Sequence, residues 1–115
     1  MSRDERPHED ELVARWLRPL ATGAGAFSLA DDCASLVPPP GCELVLKTDA
    51  VAAGVHFFHD DPWDLVARKA LRVNLSDLAA KGARPLGYLL SLALPAAWRE
   101  VDLAAFAAGR AADQA

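Results

Sequence analysis

Residues 61–82 read DPWDLVARKALRVNLSDLAAKG. Asp61 at the N-cap and Pro62 at the first helical position predict a helix start. The helix is expected to run to Ala80 or Lys81, with Gly82 in the left-handed position that ends it. Leu65, Val66, Ala70, Val73 and Leu78 recur as one apolar stripe. Asn74, Asp77 and Lys81 share another face. Asn, Ser and Asp are indifferent helix formers, so Asn74-Leu75-Ser76-Asp77 goes against local propensity inside a strong helix. A rule broken within a strong element points to a site. The competing reading is a solvated helix face with an Asp77–Lys81 ion pair one turn apart.

Outward from this helix the pattern changes period. Leu86 to Leu94 is a nearly unbroken apolar run and reads as a strand buried on both sides, stopped by Pro95. Ala96 to Ala112 is Ala-rich and predicts a closing helix. Upstream, Gly54-Val55-His56-Phe57-Phe58 is β-prone, and Glu43 to Thr48 carries the short apolar run Leu44-Val45-Leu46. Phe27 to Val37 reads as a strand interrupted by Asp31-Asp32. Pro38-Pro39-Pro40-Gly41 is a stiff turn that would join these two runs as an antiparallel hairpin. From Asp10 to Leu20, Leu12, Val13, Trp16, Leu17 and Leu20 fall at helical spacing, with Asp10 as cap. Residues 1–8 read as a frayed, flexible start. The whole is an α/β (α+β-like) pattern: one domain over residues 1–115, a small mixed β-sheet with helices packed on one side.

The bulk numbers agree with a packed domain. At 115 residues, 52% hydrophobic and 24% charged, the chain can bury a core. A formal net charge of -4 argues against a nucleic-acid surface, which needs clustered Lys and Arg. It leaves room for a nucleotide, because a metal ion can neutralise phosphate locally. The apolar run Leu86 to Trp98 is broken by Pro95 and too short to span a bilayer. The start, Met1 to His8, has no apolar signal-peptide core, so the protein is read as cytoplasmic. Cys33 and Cys42 are read as free, buried thiols, since a reducing compartment disfavours the disulfide that their flanking turn would allow.

Acidic residues stand at the ends of three apolar segments: Asp31-Asp32, Asp49 after Lys47-Thr48, and Asp77. Carboxylates at such rims suit a hard cation, since magnesium takes one or two of them plus phosphate and water. Neighbouring strand residues point to opposite faces, so only one of Asp31 and Asp32 can face such an ion. The competing readings are a turn or bulge at Asp31-Asp32 and a strand-end turn at Asp49. His56 stands beside Phe57 and Phe58, where a packed, hydrogen-bonded histidine is the plain reading. His56 and His59 lack soft companions, which disfavours zinc. There is no phosphate-binding P-loop, no dinucleotide fingerprint and no nucleophile–base–acid set, so no catalytic residue is assigned.

Taken in order, Asp31-Asp32-Cys33-Ala34, Lys47-Thr48-Asp49-Ala50, Gly54-Val55-His56-Phe57, the run from Lys69 to Ala83 and Ser91-Leu92-Ala93-Leu94-Pro95 resemble the N-terminal domain of the thiamine-monophosphate kinase family. That family lies in the aminoimidazole ribonucleotide (AIR) synthetase superfamily. The resemblance implies ATP-dependent phosphorylation of thiamine monophosphate to thiamine diphosphate with Mg2+. It implies Asp32, Asp49 and Asp77 as metal ligands with Thr48 assisting, Thr48 and Asp49 also on the nucleotide side, and His56 against the thiamine substrate. Phosphoryl transfer is mostly positioning and charge neutralisation, which suits a chain without a nucleophile.

The resemblance also implies a homodimer formed through the sheet. Two positions depart from the family pattern. Ala30 stands where a Gly often precedes the Asp pair. Lys47 stands where Ser or Thr often offers oxygen to a metal, and a cation there is suited to phosphate instead. Family members are much longer, with a Gly-Gly-Asp-Thr segment and a C-terminal domain, so the chain reads as a truncated form. The alternative function, from another class, is a non-catalytic dimerisation or interaction module that kept the fold.

Overall fold

A computed structural model describes residues 7–30 and 33–114. Among the described residues three α-helices form: α1 (Glu9–Leu12), α2 (Trp63–Ala80) and α3 (Glu100–Gln114). The first continues as a π-helical turn, Val13–Leu17, and a 3-10 turn, Arg18–Leu20. A second 3-10 segment covers Ala24–Leu29.

The expected helix from Asp61 forms where its signals lie. Pro62 is the N-cap, with ψ at 136°, and Trp63 opens the helix. Asp61 instead accepts a hydrogen bond from the Phe58 amide at 2.8 Å, closing the turn ahead of the helix. At the other end Gly82 has φ +75°. The amides of Gly82 and Ala83 donate to the carbonyls of Ala79 and Leu78, both at 3.0 Å. These two bonds make a Schellman end, and glycine supplies the left-handed residue it needs. The last helix begins later than the Ala-rich run suggests, because Pro95 to Trp98 folds as a turn. Asp102 reaches back to accept from the Arg99 amide at 2.9 Å, which fixes the start of α3.

The expected mixed β-sheet is not there. Among the described residues no strand forms, and the only ladder pairing is an isolated bridge between Ala53 and Phe57. Residues 24–29 coil tightly, with Phe27, Ser28 and Leu29 at φ between 51° and 55°, where an extended run was expected. Residues 42–50 and 83–95 lie without regular structure, so the hairpin does not close. The physical reason is that β-propensity describes a fit to a paired, half-buried surface. Here those apolar side chains meet no such surface. Leu46 is 89% exposed and Leu89 90%. A dimer through a sheet therefore has no sheet to pass through. Cys33 and Cys42 are exposed, where buried thiols were expected.

What the chain does bury lies between α2 and α3. Val66, Ala67 and Phe106 form the centre, with Phe57, Trp63, Leu90 and Leu92 packed against it. Leu71, Leu103 and Ala107 are also buried. The apolar stripe of α2 is thus rotated from the expected one, and Leu65 is more than half exposed. The N-terminal helical segment is held to α3 by polar bonds at both of its ends. Arg15 pairs with Glu100, Trp16 Nε1 donates to Glu100 at 3.1 Å, and Gln114 donates to the Leu20 carbonyl at 2.8 Å.

The distance between α2 and α3 is set at Gly109. A Cβ there would lie 2.3 Å from the Asp64 carbonyl oxygen and 2.7 Å from its Cα. Helix propensity alone favours Gly109→Ala by about 1 kcal/mol. The clash is with backbone, which cannot turn aside, and overpacking of this kind costs about 1–3 kcal/mol. Packing is therefore expected to win. Gly109→Ala should lower the thermal midpoint seen by circular dichroism, and a raised midpoint would show that the helices are not in this close contact.

Candidate functional site

Helix α2 shows its second face to an open cleft of about 640 Å³. Two rows of residues one turn apart line it: Leu65, Lys69, Val73 and Asp77, and beside them Arg68, Arg72 and Ser76. Asp49 enters from the segment before the helix and completes the lining. Sequence position separates Asp49 from Asp77, and the fold brings both to one wall.

Between them sits Lys47. Its Nζ lies 2.9 Å from Asp77 Oδ2 and 3.4 Å from Asp49 Oδ2, and it reaches the Thr48 carbonyl at 3.4 Å. The hydrogen bond to Asp77 does most to raise the Lys47 ammonium above the usual lysine range. The ion pair that forms at Asp77 is therefore with Lys47, not the helical pair with Lys81. Asn74, on the same helix, turns back and donates to the Ala70 carbonyl at 2.7 Å. Its Oδ1 is buried without a hydrogen-bond partner. Thr48 is exposed. Asp31 and Asp32 lie outside the described residues.

His56 does not line this cleft. Its Nδ1 accepts from the Ala52 amide at 2.9 Å, and its backbone carbonyl accepts from Lys69 Nζ. A ring nitrogen that accepts carries no proton, so in the neutral ring the proton sits on Nε2 and makes that edge a donor. The loop carrying His56 is thereby tied to the lysine on the cleft wall.

Of the three cations of the cleft, Lys69 and Arg72 lie within the run from Lys69 to Ala83 without a role of their own there, and Arg68 lies just before it. Their signal was present in the sequence, since they share the helix face of Ser76 and Asp77. Arg72 grips Asp113 of α3 with two bonds, at 2.7 and 2.8 Å, and Arg68 approaches the same carboxylate at 3.8 Å. Arg68 Nε is buried without a hydrogen-bond partner.

The donor set can be tested against a hard cation. Among the described residues no three His, Cys, Asp or Glu side chains gather closely enough to hold a metal by themselves. Two carboxylates do converge, and an ammonium already stands between them as a stand-in cation. Two carboxylates with phosphate and water are what magnesium takes, so the residues fit.

Residues 30–114 match the model of the family described as AIR synthase related protein, N-terminal domain. The chain belongs to this family. Among curated proteins it is 48% identical over 110 residues to a thiamine-monophosphate kinase of Caulobacter vibrioides, covering 95% of this chain and 31% of that protein. Thiamine-monophosphate kinases of Escherichia coli and Synechococcus elongatus are 53% identical over 78 residues and 46% over 87. Those matches cover 64% and 74% of this chain, and 24% and 27% of the relatives. The AIR synthase related chain thus spans about a third or less of the length of the curated relatives it matches. No solved structure matches it significantly. No helix among the described residues is long and apolar enough to cross a membrane.

Asp113 joins the cleft to α3, and its titration gives a pH test. The hydrogen bond from Arg72 is the main cause that lowers its pKa below the ordinary 3.8. A carboxylate depressed on folding contributes stability that is present above its unfolded value and is lost as pH falls through the folded one. Asp113→Asn should therefore be less stable than the parent in urea at pH 6. The gap between them should close as the pH is taken below 3.8. A gap that stays constant would show that the Arg72–Asp113 pair does not hold the helices.

Proposed function

We propose that this chain is the metal- and phosphate-binding part of a thiamine-monophosphate kinase, which transfers phosphate from ATP to thiamine monophosphate with magnesium. The observation that carries the reading is the meeting of Asp49 and Asp77 across one ammonium, in a cleft whose remaining charged lining is Arg68, Lys69 and Arg72. The relatives' names point the same way.

Asp49 and Asp77 would hold magnesium, with Thr48 offering oxygen and Asp32 joining from the preceding segment. Magnesium, when bound, neutralises and orients phosphate oxygens. The chain's own contribution is positional. Asp77 is carried on α2, an 18-residue helix closed at its C-terminal end by the Gly82 and Ala83 amides. Lys69 and the arginines place positive charge along the same wall for phosphate oxygens. His56, with its proton on Nε2, would present a donor to the thiamine substrate. No protein nucleophile is required, because the accepting phosphate is itself the nucleophile. The exposed apolar side chains of residues 44–46 and 86–89 support association with a second copy.

Two measurements test the reading. Magnesium should raise the thermal midpoint of the chain, and Asp77→Asn should abolish most of that rise. An equal rise in both would show that Asp77 is no ligand. The second is formation of thiamine diphosphate from thiamine monophosphate, ATP and magnesium, by the chain supplemented with the remaining part of a full-length relative. Product is expected, with Asp77→Asn lowering the rate about a hundredfold, as loss of one transition-state contact does. No product under any supplementation would favour the non-catalytic interaction module.

A further inference from the structure

The reaction leaves Lys47 without a role, although its ammonium is at the centre of the site. It touches Asp77 at 2.9 Å, Asp49 at 3.4 Å and the Thr48 carbonyl at 3.4 Å. These are the oxygens offered to the metal. An ammonium and a divalent ion cannot share them, since like charges a few ångströms apart repel even under solvent screening. The lysine side chain is 28% exposed and stands on an exposed segment, so its ammonium has water beside it to move into.

We propose that Lys47 is a resident counter-cation of the Asp49–Asp77 pair, which a divalent ion must displace in order to bind. The inference rests on the reading of Asp49 and Asp77 as metal ligands. Binding is then an exchange. The ion gains two carboxylates while the ammonium loses them and returns to water, so only the difference shows as affinity. Without the ion, Lys47 keeps the two carboxylates from repelling each other. It also holds residues 42–50, exposed along their length, to α2. A chain built this way binds the free ion weakly and does not lose the shape of its site when the ion leaves.

The test is titration of the full chain with Mn2+, read by the loss of the free-ion electron paramagnetic resonance signal. Lys47→Gln should bind Mn2+ about tenfold more tightly than the parent, the scale of removing one nearby like charge. Lys47→Arg keeps the charge and should stay within about twofold of the parent. Adding Asp77→Asn to Lys47→Gln should remove the gain. Equal affinity for parent and Lys47→Gln would overturn the proposal and leave the metal reading standing. Equal tightening by both Lys47 variants would also overturn it, because the cause would not be charge. Failure of every variant to bind Mn2+ would sink the ligand reading itself, and this inference with it.

Discussion

The close approach of α3 to the first turn of α2 is the constraint on which the rest depends. Gly109 has no side chain, and the Asp64 backbone occupies the space a Cβ would take. That contact lets Phe106 reach Val66 and Ala67, which are the centre of the core. It also places Asp113, one turn beyond Gly109, where Arg72 and Arg68 can grip it. Arg110, between them, is carried into the interior. Its guanidinium lies 4.9 Å from the Tyr88 ring and 5.7 Å from that of Phe106, and burial lowers its pKa. Its Nε has no hydrogen-bond partner there. Stacking on two rings offsets part of that cost, about 1–2 kcal/mol for a desolvated cation–π contact. With one face of α2 committed to α3, the other is left to the cleft.

The helical half of the fold was legible because its signals are local. Pro62 and Gly82 mark the ends of α2 to within a residue, since capping depends on φ, ψ and a few neighbouring amides. Val66 lies in the expected stripe and is covered, but the buried stripe goes on through Ala67 and Leu71 rather than Leu65 and Ala70, because only the partner helix decides which neighbouring apolar residues are covered. Leu65 faces the cleft while Val66 is 5% exposed. The sheet was not legible in the same sense. Val, Leu and Phe in short runs state a preference for a pleated surface, but a strand exists only when another chain segment supplies its ladder. Residues 42–50 and 83–95 carry the preference without the ladder.

The site was legible in part, for a related reason. Asp49 and Asp77 stood out as acids at the rims of apolar segments, and they do reach one cleft. Their common partner was not foreseen. Lys47 is two residues from Asp49, so a local pair was readable, but the contact with Asp77 exists only after α2 is placed beside the preceding segment. Arg68 and Arg72 were hidden differently. On a helix, Lys and Arg are usually a solvated face, and only Asp113 on a second helix distinguishes these two from that background.

Every charge in the cleft is already engaged within the chain. Asp49 and Asp77 share Lys47, Lys69 is bound to the His56 carbonyl, and Arg68 and Arg72 meet at Asp113. A ligand therefore gains only by exchange. A free cation must displace an ammonium and gives it nothing in return. A free anion must draw an arginine or lysine from its present oxygen and leave that oxygen unpaired. A cation already carrying phosphate supplies both signs, so the released ammonium and the released carboxylates can each find a partner. On the proposed reading, this pairing of every charge would favour a metal–phosphate complex over either component. Such a complex is what the proposed phosphoryl transfer would require.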